Sequence, residues 1–162
     1  CVYYRKKGIL FSGDHILSSI TPHLGTLVIP GAKEFNKKNN YENILEHYLN
    51  SLDKIDELKS KTILPGHEQI IYDPHARIIG IKNHHQNRLH EISKIIENKP
   101  MTPLNIALNH FGNDLDPMNR ILATSETLVH LDYLEFQNEV KKKEENGIIY
   151  YWSEHPWERV EY

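Results

Sequence analysis

One cysteine, Cys1, is all the thiol chemistry this 162-residue chain possesses. An internal disulfide is therefore excluded, and a reducing, cytoplasmic setting is the expectation. No apolar run approaches the roughly 20 residues that span a bilayer, and no secretory leader is visible, so no membrane role is expected. Neither sign of charge is in excess. Nineteen Lys and Arg face 22 Asp and Glu, and the net charge of −3 argues against a dominant nucleic-acid-binding surface. Internal repeats and low-complexity tracts are absent as well. So are an initiator methionine and a polar lead-in: the chain opens on Cys1-Val2-Tyr3-Tyr4, already strand-like. That opening reads as the C-terminal portion of a longer protein. At 39% hydrophobic and 25% charged residues, the composition is that of one ordinary globular domain or two small ones.

What is present is concentrated in two stretches. Ile9-Leu10-Phe11-Ser12-Gly13-Asp14 is an apolar run ending in a glycine and a carboxylate. It reads as a buried strand with Asp14 at its C-terminal lip, entered from a hairpin turn at Arg5-Lys6-Lys7-Gly8. Thr62-Ile63-Leu64-Pro65-Gly66-His67 repeats the design with an imidazole. Adjacent strands ending this way would set a carboxylate beside an imidazole, a donor pair suited to hard and borderline metals.

Gly13-Asp14 after a hydrophobic strand, followed by Leu64-Pro65-Gly66-His67 after a helix, resembles the second half of a metallo-β-lactamase-fold hydrolase. The resemblance implies that Asp14 bridges two metals and orients the nucleophile, and that His67 completes the second metal site. It carries over to these two residues alone. The family's His-x-His-x-Asp-His signature is absent from the chain, and Glu68 follows His67 where the family usually has glycine.

Between the two strands, Pro30-Gly31 and residues 37–40 mark loops. Ile44, Leu45, Tyr48, Leu49, Leu52, Ile55 and Leu58 recur at helical spacing and predict an amphipathic helix over 41–58. Asp73-Pro74 predicts the start of a second helix reaching about residue 98, with Ile78, Ile81, His85, Leu89, Ile92 and Ile96 on one face. Lys99-Pro100 ends it. Beyond it the pattern predicts short helices over 103–111, 117–122 and from Ser125, the last burying Leu128, Leu131 and Leu134 with Phe136. A hairpin follows around Asn146-Gly147. Three helices and a two-stranded wing resemble the winged-helix tail of a lactamase-fold subgroup containing an endoribonuclease and hydroxyacylglutathione-hydrolase-like proteins, most clearly at Thr127-Leu128-Val129-His130-Leu131-Asp132-Tyr133-Leu134.

The other histidines are weaker candidates. His15 should point away from Asp14 and serve loop packing. His23 lies in a loop beside Pro22, where histidines are mostly solvated. His84 and His85 face different sides of their helix, so with Arg88 and His90 they suggest packing rather than metal. Lys141-Lys142-Lys143 sit among Glu139, Glu144 and Glu145, which cancel most of their field, and read as a guarded strand edge. Trp152 and Trp157 read as packing anchors.

The fold expected is α+β: the C-terminal half of a metallo-β-lactamase αββα sandwich over 1–80, a connecting helix over 81–100 and a winged-helix domain over 101–162. The function the resemblance implies for the intact parent is zinc-dependent hydrolysis of an ester, thioester or phosphodiester by a metal-activated water. One or two zinc ions would be held with the help of Asp14 and His67, Asp14 being also catalytic. The 162 residues alone should be inactive, hold zinc weakly, and pair as a homodimer through apolar sheet surface. A winged-helix module binding nucleic acid or protein is the alternative. Duplex binding is not expected, because 125–137 carries Glu126, Asp132 and Glu135 and no lysine or arginine.

Overall fold

The computed structural model describes residues 1–25 and 43–162. The loops expected at Pro30-Gly31 and 37–40, and the first two residues of the helix expected over 41–58, lie outside the described residues. The described chain divides into two compact units, one of Cys1–His23, Tyr48–His85 and Glu161–Tyr162, the other of Leu24–His47 and Gln86–Val160.

In the first unit, β1 (Val2–Tyr4) and β2 (Ile9–Gly13) form an antiparallel hairpin. Its turn closes with Gly8 N donating to Tyr4 O at 3.0 Å, and Gly8 stands at φ 67°, a left-handed position glycine takes without strain. β3 (Thr62–Pro65) pairs parallel to β2, which requires a crossover; the helix α1 (Ile44–Asp56) occupies that connection. Asn43 caps α1 by accepting from Glu46 N at 3.0 Å. The resulting sheet has the order β1-β2-β3. Successive side chains alternate across it. Leu10 pairs with Ile63, and both are buried, while Val2, Tyr4 and Phe11 on the opposite face stay 68, 45 and 46% exposed.

The helix α2 (Pro74–Ile95) starts as its sequence predicts, with Ala76 N donating to Asp73 Oδ1 at 3.0 Å and Pro74 in the first turn. Ile78, Ile81, His85, Leu89, Ile92 and Ile96 are all buried. The division between the units falls within this helix. A cation also lies buried here: Lys82 donates to Asp53 Oδ1 at 2.6 Å and stands 3.8 Å from the centre of the Tyr162 ring.

The second unit contains α3 (Pro103–Phe111), α4 (Pro117–Phe136) and a separate hairpin of β4 (Lys141–Glu145) and β5 (Ile148–Trp152). Thr102 caps α3, and Asp116 caps α4 through the amides of Met118 and Asn119. Asn146 and Gly147 both take positive φ, as a two-residue hairpin loop demands. Met101 exchanges two backbone hydrogen bonds with Tyr151, at 3.0 and 2.9 Å, adding a single-residue bridge beside β5.

Two sequence expectations are corrected in this unit. The helices predicted over 117–122 and from Ser125 are one continuous helix. Nothing between them breaks the backbone, and Thr124 and Thr127 satisfy their hydroxyls on the carbonyls one turn back rather than capping a new start. The buried face of α4 is also displaced. Leu131 and Leu134 are buried with Ser125, Thr127, Val129, His130 and Tyr133, while Leu128 is half-buried and Phe136 exposed.

Burial in α4 has a pH consequence. Burial pushes the Glu126 carboxyl above its ordinary range, and the nearby Arg88 guanidinium opposes that shift only in part. A carboxyl whose folded pKa is raised favours the fold at low pH, and that contribution is lost as pH rises through the folded value. Glu126→Gln should therefore gain thermal stability relative to the native chain as pH rises from about 4 toward 7. Melting curves across that range give the answer; a difference that shrinks with rising pH would refute it.

Candidate metal centre

The two stretches singled out in the sequence meet. Gly13 pairs with Pro65 at the ends of adjacent parallel strands, and Gly66 N donates to Gly13 O at 2.9 Å. Asp14 and His67 follow immediately, on the same edge of the sheet. His67 Nε2 lies 3.6 Å from Asp14 Oδ1, with the side chains 54 and 70% exposed. That separation is too long for a hydrogen bond, which needs about 3.2 Å or less. Two donors sharing one tetrahedral zinc at about 2.1 Å each stand about 3.4 Å apart. The donor types and their spacing thus fit a zinc ion, with two of the three protein ligands a catalytic zinc ordinarily takes.

Gly66 makes the arrangement possible. A Cβ there would sit 2.6 Å from Asp14 Oδ1 and 3.3 Å from the Gly13 carbonyl carbon. Glycine leaves the space into which the Asp14 carboxylate folds. Gly66→Ala is expected to displace Asp14 and weaken metal binding about tenfold or more, while the rest of the unit stays folded. Isothermal titration with zinc beside a thermal melt tests this, and unchanged zinc affinity would count against the site.

Behind this edge the loop after Asp14 is held by residues the sequence reading passed over. Glu68 Oε1 accepts from Ser19 Oγ at 2.6 Å; its Oε2 accepts from Ser19 N at 2.9 Å and from Ser18 Oγ at 3.2 Å. The Ser19 hydroxyl, then the Ser19 amide, hold the Glu68 carboxyl down to about 2. Arg77 on α2 donates to Leu17 O and Ile20 O, both at 2.6 Å. The one local signal was Glu68 itself, a glutamate where the resemblance leads one to expect glycine.

Several of the other histidines are engaged by neighbouring groups. His15 turns to Ser51 Oγ at 2.7 Å and stacks edge-on to Tyr48; burial lowers its pKa. His84 and His85 stack edge-on at 5.5 Å. His90 Nδ1 lies 2.7 Å from Trp157 O, whose own indole donates to Gln86 Oε1. Arg88 lies over the Phe111 ring. His75, not considered from the sequence, hydrogen-bonds the Asp56 carboxylate at 3.0 Å and holds that carboxyl below its usual range. These two line a cavity of about 400 Å³ with Lys59, Lys61, Tyr72 and Asp73, beside the opposite end of β3.

The lysines of β4 are spent on neighbours. Lys141 pairs with Glu154, Lys142 with Glu135 and Lys143 with Glu145. No helix among the described residues is long and apolar enough to cross a membrane.

Comparison with known proteins matches two stretches of the chain. Residues 1–67 match the metallo-beta-lactamase superfamily, and residues 89–154 match the metallo-beta-lactamase-like C-terminal domain. The chain is 25% identical over 150 residues to a probable metallo-hydrolase, YqjP, of Bacillus subtilis, covering 93% of this chain and 45% of that protein. It is 33% identical over 99 residues to a beta-lactamase-like protein 2 homolog of Drosophila melanogaster, covering 61% of this chain and 28% of the relative. Among solved structures, a metallo-beta-lactamase family protein of Thermus thermophilus superimposes with a TM-score of 0.73 at 27% identity, over 93% of this chain and 44% of that one. A beta-lactamase domain protein of Burkholderia ambifaria gives 0.80 at 26% identity, over 93% and 43%. The chain spans less than half the length of each. Two stretches covering most of these 162 residues are metallo-beta-lactamase-like, in a mixed α/β chain whose structural neighbours carry that fold.

Proposed function

We propose that this chain is the C-terminal part of a zinc-dependent hydrolase acting on an ester, thioester or phosphodiester. The observation that carries the reading is the meeting of Asp14 and His67 at the ends of adjacent parallel strands, 3.6 Å apart, over a glycine that leaves room for the carboxylate. Zinc bound there would supply Lewis acidity and a nucleophile potent at neutral pH. Asp14 offers two oxygens, so it can serve two cations or hold one while accepting a proton-bearing hydrogen bond with the other. His67 would hold the ion through Nε2, the atom that faces Asp14. The name of the Bacillus subtilis relative, a probable metallo-hydrolase, supports the class.

The open face of β1 and β2 supports the sandwich reading. Val2 lies opposite Phe11, and Tyr4 opposite Ile9, giving an apolar strip that a second sheet of further polypeptide would cover. In this chain alone the same strip would pair two copies. For 81–162, we read the end of α2, the Met101 bridge, α3, α4 and the β4–β5 hairpin as a winged helix joined through a connecting helix. A phosphate-binding role is not favoured for it. Its wing lysines are paired with glutamates, and Arg120, in the first turn of α4, donates to Leu115 O and Asn113 O.

The test is hydrolysis of phosphodiester and thioester substrates by a longer polypeptide containing this chain. Loss of turnover in Asp14→Ala and His67→Ala is the expected result. Full activity in either variant would sink the assignment.

A further inference from the structure

Glu68 occupies φ 71°, a left-handed backbone position where a side chain is strained and glycine is not. The chain keeps a glutamate there, and its carboxylate accepts all three hydrogen bonds offered by Ser18 and Ser19. The contact runs in both directions, because Gln69 N donates to Ser18 Oγ at 3.2 Å. Arg77 grips the same turn from the helix side through Leu17 O and Ile20 O.

The placement gives this clasp a purpose. Glu68 is the residue after His67, and Ser18 lies four residues after Asp14. On the strand side the two ligand candidates are tied by the Gly66 N to Gly13 O hydrogen bond. On the loop side, nothing in the sheet continues past Asp14, and the Glu68 clasp takes over. Asp14 and His67 thus stand inside a ring of chain closed at both ends.

We infer that Glu68 is a positioning residue, latching the Ser18-Ser19 turn to the end of β3 so that the Asp14 carboxylate faces the His67 imidazole. The inference rests on the metal-centre reading given above. Holding ligands close to their bound geometry before the ion arrives raises affinity, since less chain must be ordered on binding. The plainer alternative is an exposed loop clasp that adds local order and leaves the metal centre untouched. The two differ in what a mutation moves.

The experiment is a cobalt(II) titration of this chain followed by NMR at the Asp14 and His67 resonances, with Ser19 amide exchange recorded on the same samples. Glu68→Gly relieves the backbone strain and removes the latch. It should accelerate Ser19 exchange and weaken cobalt binding about tenfold, with Glu68→Gln recovering most of the loss. Ser18→Ala with Ser19→Ala should weaken binding similarly, and should add little in the Glu68→Gly background. Cobalt affinity unchanged in Glu68→Gly, or losses that add independently, would overturn the inference. If the native chain shows no cobalt response at His67, these two ligands alone do not hold the ion, and the latch is then judged without metal. Asp14 and His67 resonances displaced by Glu68→Gly uphold it, and undisturbed ones overturn it.

Discussion

After dialysis against chelator and return of zinc, these 162 residues are expected to retain well under one zinc per chain and to show no phosphodiesterase or thioesterase turnover above background. Asp14 and His67 supply two donors at one edge of the sheet, whereas a catalytic zinc ordinarily takes three protein ligands and leaves one position for water. Both side chains are more than half exposed, so water competes for the ion and each ligand must be ordered as it binds. The structural neighbours are more than twice as long as this chain, and we propose that the remaining donors come from polypeptide of that kind. A longer polypeptide that supplies them should raise zinc retention to near stoichiometric and bring turnover with it. Elemental analysis and steady-state assays on both lengths of chain would check this. Stoichiometric zinc held by the 162 residues through Asp14 and His67, and lost in Asp14→Ala, would show that two donors suffice here.

Leu131→Ala is expected to destabilise the chain by about 2–5 kcal/mol, a large part of the roughly 5–15 kcal/mol a domain of this kind possesses. Leu131 has no exposed surface and lies on the face of α4 that also buries Thr127 and Leu134. Truncation removes its transfer free energy and leaves a cavity that a packed helix pair cannot fully close. Phe136→Ala, five residues on, removes a larger side chain from an exposed position and should cost about 0.5 kcal/mol or less. The contrast tests the displaced face directly, because the sequence pattern alone would bury both. Urea unfolding with a shifted midpoint for Leu131→Ala and a nearly native one for Phe136→Ala is the expected pair. The reverse order would mean that the helix is rotated about its axis.

Much of the candidate centre was legible because it is written locally. Ile9–Gly13 and Thr62–Pro65 are short, largely apolar runs that read as strands, and at the end of each a glycine stands just before a possible ligand. The stripe from Ile78 to Ile96 was equally readable, since helical period and burial coincide over five turns. The capping at Asp73, Thr102 and Asp116 belongs to the same class of short-range chemistry.

The tertiary structure decided what depends on distant neighbours. That Asp14 comes within 3.6 Å of His67 follows from the parallel register of β2 and β3, which is set by packing across a 53-residue separation. The partners of Glu68 lie about 50 residues earlier, so no local pattern could pair them. α4 shows the same division in a single element. Its helical character is intrinsic to residues 117–136, but which side is buried depends on where α3 sits, and so Ser125, Thr127 and His130 went inside while Phe136 stayed out. By itself the sequence determined which segments become strands and helices and which side chains can bind a metal, because propensity and capping act over a few residues. Which of those side chains meet, and in what geometry, was left to the fold, because contact between remote segments is settled only when burial and register are satisfied together.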